Sequence, residues 1–363
     1  MAKICMVAAQ HPIDDSRVYD QEAHTLAEHG HDVCIIARSV KGAKIDLPYY
    51  TVPNGRLSSI WWAFKYALKV DADVYHCHDL FSYPVGWLMK LRGKKVIFDI
   101  HERYELYLHP DAEVSLLGRF AVFIYILLLL LFGWFVDGYI LAYDSLLWYR
   151  MFGKPVAVVY NFPRIVPVNK PRRLGKPIKL VYAGILWEER GIFLFPELVR
   201  RLLDKGYDVE LHVYGKFKTS NDKERFFRLV DQHGVADKII FHGSVPRNQL
   251  LRELPKYDVG LNLIRPTRTN RYTLQRKMLE YLAFGIPVIG TKGIYYFEKL
   301  VAEKGAGVAV EFGNLDALEE ALLQIITAYD DMSARALNLA DKYSWTVETD
   351  KLMSFYSSLR GSS

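Results

Sequence analysis

Lys277-Met-Leu-Glu-Tyr-Leu-Ala-Phe-Gly-Ile-Pro-Val-Ile-Gly290 contains one complete helix-to-strand junction. A helix carrying Lys277 and Glu280 ends at Gly285, and Pro287 opens a buried apolar strand. Lys277 and Glu280 stand three residues apart, so they share a helix face near its start. A carboxylate there can accept hydrogen bonds from a ribose diol, and an ammonium nearby can neutralise a diphosphate. Taken alone, a Lys-x-x-Glu pair reads more readily as an ordinary surface ion pair on an amphipathic helix.

The same alternation of short apolar runs and amphipathic stretches extends over nearly the whole chain. One series of strands is predicted at 4–9, 33–37, 74–77, 96–100, 139–142 and 156–160, with a helix at 20–29 after the first. A second series is predicted at 179–183, 209–214, 239–241, 259–263, 288–290 and 307–310. Strands alternating with helices give parallel sheets covered on both faces, so the fold class is α/β with two doubly wound, Rossmann-like domains. Between the series, residues 161–177 are rich in Pro and basic residues and lack periodicity, as a linker does. The predicted division is 1–163, a linker at 164–178, 179–344, and a last helix within 345–363 that could cross back to the first domain. In doubly wound sheets ligands sit beyond the carboxyl ends of the strands. Two such edges facing one another would form a cleft.

Composition sets the limits. The chain has 363 residues, 51% hydrophobic and 24% charged, which suits two folded domains. A net charge of +6 suits a nucleotide phosphate, an anionic membrane or a nucleic acid without choosing among them. The basic residues are scattered and not gathered in a stripe with aromatics, which argues against nucleic acid. Cys5, Cys34 and Cys77 each lie in a predicted strand and read as buried, reduced thiols of a cytosolic protein. Met1-Ala-Lys-Ile-Cys starts a strand almost at once, so no signal peptide is expected.

Four further stretches place reactive groups at strand ends. In Leu180-Val-Tyr-Ala-Gly-Ile-Leu-Trp-Glu-Glu-Arg-Gly191 a strand ends at Gly184 and Arg190-Gly191 is expected to open a helix, where cations and backbone N–H groups suit phosphate. His11-Pro-Ile-Asp-Asp-Ser-Arg17 follows the first strand, and its plainer reading is a helix cap by Asp15 or Ser16 beside a solvated Arg17. Tyr75-His-Cys-His-Asp79 and Phe98-Asp-Ile-His-Glu-Arg103 put imidazole and carboxylate at two successive strand ends. Asp71-Ala-Asp73 leads into a strand and reads as structural, so no metal is predicted.

The run from Lys277 to Ile289 closely resembles the nucleotide-binding signature of the retaining GT-B glycosyltransferases of the family 4 type, and the resemblance extends over nearly the whole chain. It implies a UDP- or GDP-linked sugar as donor, held through Glu280 at the ribose and Lys277 and Arg190 at the diphosphate. It further implies that Gly184 lies in the phosphate loop, that His101 reaches the sugar near the reacting carbon, and that Glu102 shapes the acceptor side. Arg17 and His11 would help seat donor phosphate and acceptor, with His78 and Asp79 on the same wall. No cofactor beyond the donor is implied. Two positions depart from the family pattern. A donor-sugar glutamate is replaced by Tyr272, and an arginine after the first glycine by Ile185, for which Lys216 is a candidate substitute. The resemblance also implies retention of configuration, with the leaving phosphate taking the acceptor proton.

Residues 120–136 contain no charge. As a helix they would be roughly 26 Å long, just short of a hydrocarbon core of about 30 Å. Spanning would split the first sheet, so a helix over 116–136 with one face on the sheet and the other on a bilayer is preferred over a fully buried helix or a dimer contact. Trp61 and Trp62, with lysines close by, suit an interface anchor. The expected protein is a cytoplasmic enzyme, peripheral on the inner face of the cell membrane, acting on a lipid-linked or other glycan acceptor in polysaccharide or glycoconjugate synthesis. The alternatives are a sugar-nucleotide epimerase of the same fold and a non-catalytic membrane scaffold.

Overall fold

The computed structural model describes residues 1–110, 114–168 and 173–360. Part of the predicted linker and the last three residues of the C-terminal segment lie outside them. Two compact units emerge: one reaches Arg164 and includes the last helix, Trp345–Arg360, and the other is Ile165–Ser344.

The first unit is built on a seven-stranded parallel sheet. Its strands are β1 (Lys3–Pro12), β2 (Asp32–Arg38), β3 (Tyr49–Val52), β4 (Val74–His78), β5 (Lys95–Ile100), β6 (Gly138–Leu141) and β7 (Val156–Val158), in the order β3-β2-β1-β4-β5-β6-β7. The central β1 pairs with both β2 and β4, Ile4 lying opposite Val33 and Val74. β3 was not predicted. It is a four-residue edge strand with one buried side chain, Val52, so it carries almost no alternating signal.

Period-two alternation assigns the two sheet faces. Ile4, Met6 and Ala8 point to one face, covered by a helix that starts over Ser16–Ala23 and continues over His24–Glu28 (α1), and by the last helix. Trp345 Nε1 donates to Thr25 Oγ1 at 2.8 Å, and Tyr356 Oη meets His76 Nδ1 at 2.9 Å. Cys5, Val7 and Ala9 point to the other face, covered by α2 (Arg56–Val70), α3 (Tyr83–Lys90) and α4 (Leu116–Phe132). All three cysteines are free and buried. α1 begins four residues before the predicted start, because Asp15 caps it by accepting from the Arg17 and Val18 amides at 2.9 and 3.1 Å. Asp71 ends α2 in a left-handed conformation and pairs with Lys94, and Asp73 accepts from the Lys3 amide, so the Asp71-Ala-Asp73 triplet is structural.

The second unit is a six-stranded parallel sheet: β8 (Ile178–Ala183), β9 (Val209–Tyr214), β10 (Ile239–Gly243), β11 (Val259–Asn262), β12 (Val288–Thr291) and β13 (Gly307–Val310), in the order β10-β9-β8-β11-β12-β13. Strand order reverses beside β8, as it does beside β1 in the first sheet. A doubly wound sheet splays its crossover loops apart at that point and leaves a crevice there.

Candidate active site

In the second unit the crevice at the end of β8 is shaped by two glycines. Gly184 and Gly215 follow β8 and β9 with φ of 148° and 135°. A Cβ on Gly215 would fall 1.8 Å from the Gly184 carbonyl oxygen, so the two backbones approach as only glycine permits. They line a groove of about 250 Å³ with Lys216, Ser244 and Leu250. Lys216 thus lies beside Gly184, where a substitute phosphate cation would be needed.

Lys277 enters from α5 (Arg276–Ala283). Its Nζ sits 3.9 Å from the centre of the Tyr182 ring, and a Cβ on Gly184 would lie 3.8 Å from it. That Nζ is shielded from solvent and makes no hydrogen bond among the described residues. Burial, reinforced by the positive Arg190, holds its pKa well below the ordinary lysine value. Glu280, one turn on, is buried and paired with Arg247 Nη2 at 2.9 Å and Arg276 Nε at 3.3 Å. The surface Lys277–Glu280 pair of the plainer reading is therefore not what forms. One residue is a desolvated ammonium and the other a carboxylate clamped by two arginines. Arg247, which begins the helix Arg247–Glu253, was not singled out from the sequence. No local motif announces it, since 33 residues separate it from Glu280.

Arg190 corrects an expectation. It lies on a short turn, Glu188–Arg190, and the next full helix begins at Phe195 after the left-handed Gly191. It is therefore not a helix N-terminal residue. Its Nη1 donates to Gln275 Oε1 at 2.6 Å, which orients the guanidinium toward the start of α5 and Lys277. Tyr272 lies on the loop after β11, its ring 5.9 Å from that of Tyr295.

In the first unit a polar cluster occupies the ends of β4 and β5. His76, His78 and Asp99 alternate on the sheet face that α1 covers, and all three are buried. Arg17 is buried among them and is not the solvated cation of the plainer reading. Its Nη2 donates to Asp99 Oδ1 at 3.0 Å, its Nε lies 3.0 Å from Glu22 Oε1, and its Nη1 donates to the Val159 carbonyl at 2.8 Å. With its charge committed to two carboxylates, Arg17 is a positioning residue and not a free phosphate ligand, which corrects its expected role. Through Nε it also reaches His101 Nε2 at 3.1 Å. Arg17 holds Asp99 ionised against the penalty of burial, while burial raises the Glu22 carboxyl despite Arg17.

A more open layer sits above. Asp79 adopts φ 59°, a left-handed conformation rare for a non-glycine residue. Its carboxylate accepts from Tyr104 Oη at 2.8 Å, contacts His11 Nε2, and lies 3.6 Å from His101 Nδ1. His11 also reaches Asp15 at 3.3 Å, and the exposed Glu102 accepts from Tyr107 Oη at 3.1 Å. The structure thus brings His11, His78, Asp79 and His101 together. His11, Asp79 and His101 offer donor atoms close enough to share a metal ion, as do Glu22, His76, His78 and Asp99. In the buried set the Arg17 guanidinium already supplies the positive charge.

These environments separate two imidazoles. Burial pulls His11 toward the neutral form, but hydrogen bonds and charge from Asp15 and Asp79 prevail and push its pKa up to about 10. Burial, then the neighbouring His76, push His78 down to about 3. The unfolded value is about 6.5. His11 therefore contributes stability that is complete below about pH 6.5 and is lost as pH rises toward 10. His78 acts oppositely: the unfolded chain takes up its proton as pH falls below 6.5 while the folded chain refuses it, so stability falls toward pH 3. Melting temperatures across pH 4–10 are expected to form a dome, with His11→Asn flattening the alkaline limb and His78→Asn the acid limb. Unchanged limbs in both variants would contradict these protonation states.

Two parallel sheets of this strand order, the second with a cation-lined groove at its carboxyl edge, form the two-domain GT-B fold. Residues 168–343 match the family model described as Glycosyl transferases group 1, and residues 16–136 match Glycosyltransferase Family 4. Sucrose-phosphate synthase from Thermosynechococcus elongatus superposes with a TM-score of 0.76 at 16% identity, over 100% of both chains. Anabaena HepE in complex with UDP-glucose gives 0.71 at 14% identity, over 99% of this chain and 100% of that one. The lipopolysaccharide outer core galactosyltransferase WaaB gives 0.66 at 14%, over 98% and 99%. No curated protein matches the chain. The chain belongs to the group 1 glycosyltransferases and has their GT-B fold.

Proposed function

We propose that this glycosyltransferase moves a sugar from a UDP- or GDP-sugar to a lipid-linked or other glycan acceptor held at a membrane surface, with retention of configuration, in polysaccharide or glycoconjugate synthesis. The observation that carries the reading is Lys277: a shielded ammonium without a hydrogen-bond partner among the described residues, beside Gly184 and Arg190. Such a group gains from an anion far more than a hydrated lysine does. A nucleoside diphosphate supplies that anion. Glu280 is steered by Arg247 and Arg276 to accept from the ribose hydroxyls. In this reading Lys277 and Arg190 stabilise the negative charge that grows on the leaving diphosphate, and transfer persists in the presence of a chelator. The His11, Asp79 and His101 layer of the first unit offers imidazole and carboxylate groups suited to sugar or acceptor hydroxyls. The leaving phosphate takes the acceptor proton, so none of these groups has to act as general base.

The UDP- and GDP-binding affinity of Glu280→Ala tests the donor site. Loss of a charge-assisted hydrogen bond of about 2–3 kcal/mol predicts roughly 30- to 150-fold weaker nucleotide binding by calorimetry. Undiminished binding in folded Glu280→Ala would remove the proposed ribose contact.

A further inference from the structure

We propose that the outer surface of α2, α3 and α4 is a single docking face for an anionic lipid bilayer. The inference rests on the membrane-held acceptor proposed above and adds the extent of the face and the lipid charge it reads. The three helices lie on the same face of the first sheet, contributing Ala63 and Ala67, Tyr83 and Met89, and Tyr125 and Leu129 to one core. Their outward sides are continuous. Arg92, just after α3, lies over the Phe64 ring of α2 at 5.3 Å, and Trp87 of α3 meets Phe132 of α4 at 5.9 Å.

That outward surface is strongly apolar. In α4 the buried residues are Tyr125 and Leu129, while Leu117 is 79% and Phe120 62% exposed. Trp61 on α2 is 57% exposed and Leu91 after α3 is 71% exposed. Contiguous apolar surface of this extent is unusual on a protein that meets water alone. α4 does not span. β5 and β6 on either side of it are parallel neighbours in register, Ile97 opposite Gly138. Tyr125 also packs against the Tyr83 and Tyr104 rings, at 5.7 and 5.2 Å. The helix therefore lies along the interface, as amphipathic anchors do.

Charge selects the occupant. None of the three helices contains an aspartate or a glutamate. Lys65 lies over both Trp61 and Trp62, at 5.3 and 4.9 Å, and Lys69 over Tyr50 at 5.2 Å. Lys65, Lys69 and Arg92 have no carboxylate partner among the described residues. The nearby Asp71 and Asp137 are already paired with Lys94 and Lys90. Aliphatic stems over aromatic rings with cationic heads at the rim suit the boundary between acyl chains and anionic headgroups. A second copy of the chain fits worse. A two-fold contact through this face would set like charges together, with no acid on these helices to meet them.

Vesicle flotation of the full chain tests the proposal, using phosphatidylcholine alone and phosphatidylcholine with 30% phosphatidylglycerol, at low and high salt. At low salt the protein is expected to partition at least tenfold more strongly onto the phosphatidylglycerol vesicles, and high salt should erase the difference. Lys65→Gln, Lys69→Gln and Arg92→Gln combined should weaken that binding about a hundredfold, roughly fivefold per charge. Phe120→Ser with Leu117→Ser should weaken binding to both vesicle types. All five side chains are exposed, and circular dichroism with UDP binding checks that the variants fold. Failure to float, equal binding to neutral vesicles, an unaffected triple variant, or a stable dimer that vesicles do not dissociate would each overturn the proposal. If flotation fails while UDP still binds, the docking face is wrong and the donor site stands. If flotation succeeds without nucleotide binding, the transferase reading fails instead.

Discussion

Lys277→Met is expected to slow sugar transfer by about a thousandfold while leaving the protein as stable as before or more so. Both effects follow from one placement. The Lys277 ammonium is shielded from water, lies 3.9 Å from the Tyr182 ring centre, and has the positive Arg190 near it and no carboxylate partner among the described residues. Burying an uncompensated polar or charged group costs on the order of 1–3 kcal/mol or more in real proteins. Methionine keeps the unbranched stem over Tyr182 and removes that cost, so thermal melting of the free protein should hold or rise by a few degrees. In the proposed donor site the same ammonium would face a diphosphate gaining charge in the transition state, and removing one preorganised donor at such a position typically lowers turnover by about 10²–10³. A second signature accompanies the first. Because the folded pKa lies well below the lysine norm, nucleotide binding should draw a proton onto Lys277 at alkaline pH. Calorimetry in buffers of different ionisation enthalpy would register that uptake in the parent protein and its absence in Lys277→Met. Turnover within tenfold of the parent would sink the argument.

The placement of that lysine bears on how much of the site is legible in the sequence. The helix-to-strand junction at 277–290 was legible because the breaking Gly285, Pro287 and a buried strand leave little choice of backbone. The strand ends at Gly184, His78 and Ile100 follow from it once two parallel sheets are inferred. What stayed hidden were the side-chain partners, some far apart in the chain. Glu280 looks as if it should pair with Lys277, and it pairs with Arg247 and Arg276 instead. Arg190 was expected at a helix start, yet the helix begins five residues later, because Gly191 turns the chain first. β3 escaped because an exposed edge strand has no alternation to show. The alternation of His76, His78 and Asp99 on adjacent strands was the one available sign that a polar cluster lies beneath His101. Period two places them on the same face, but nothing local indicates that Arg17 is the cation that joins them.

That junction makes Arg17→Met the substitution with the largest expected effect on stability, a loss of about 3–5 kcal/mol. Asp99 is fully buried and stays ionised because Arg17 donates to it from Nε and Nη2, at 3.1 and 3.0 Å. Glu22 is buried on the other side of the same guanidinium. Removing the cation leaves a buried carboxylate without its counterion, the situation in which breaking an internal ion pair is most destabilising. The consequence is directional. Asp99 contributes stability above its unfolded pKa of about 3.9 because Arg17 keeps its folded pKa lower. Without Arg17 the Asp99 carboxyl rises instead, so the variant should be least destabilised in acid and worsen toward neutral pH. Adding Asp99→Asn to Arg17→Met removes the stranded charge and should recover a substantial part of the loss, an interaction that a double-mutant cycle in urea measures directly. Activity should fall with it even where the fold survives, because Arg17 Nε also fixes His101 Nε2 at 3.1 Å. A loss under 1 kcal/mol, or strictly additive effects of the two substitutions, would mean that Arg17 does not compensate Asp99. The buried cluster would then be held by other contacts, with His101 positioned independently of it.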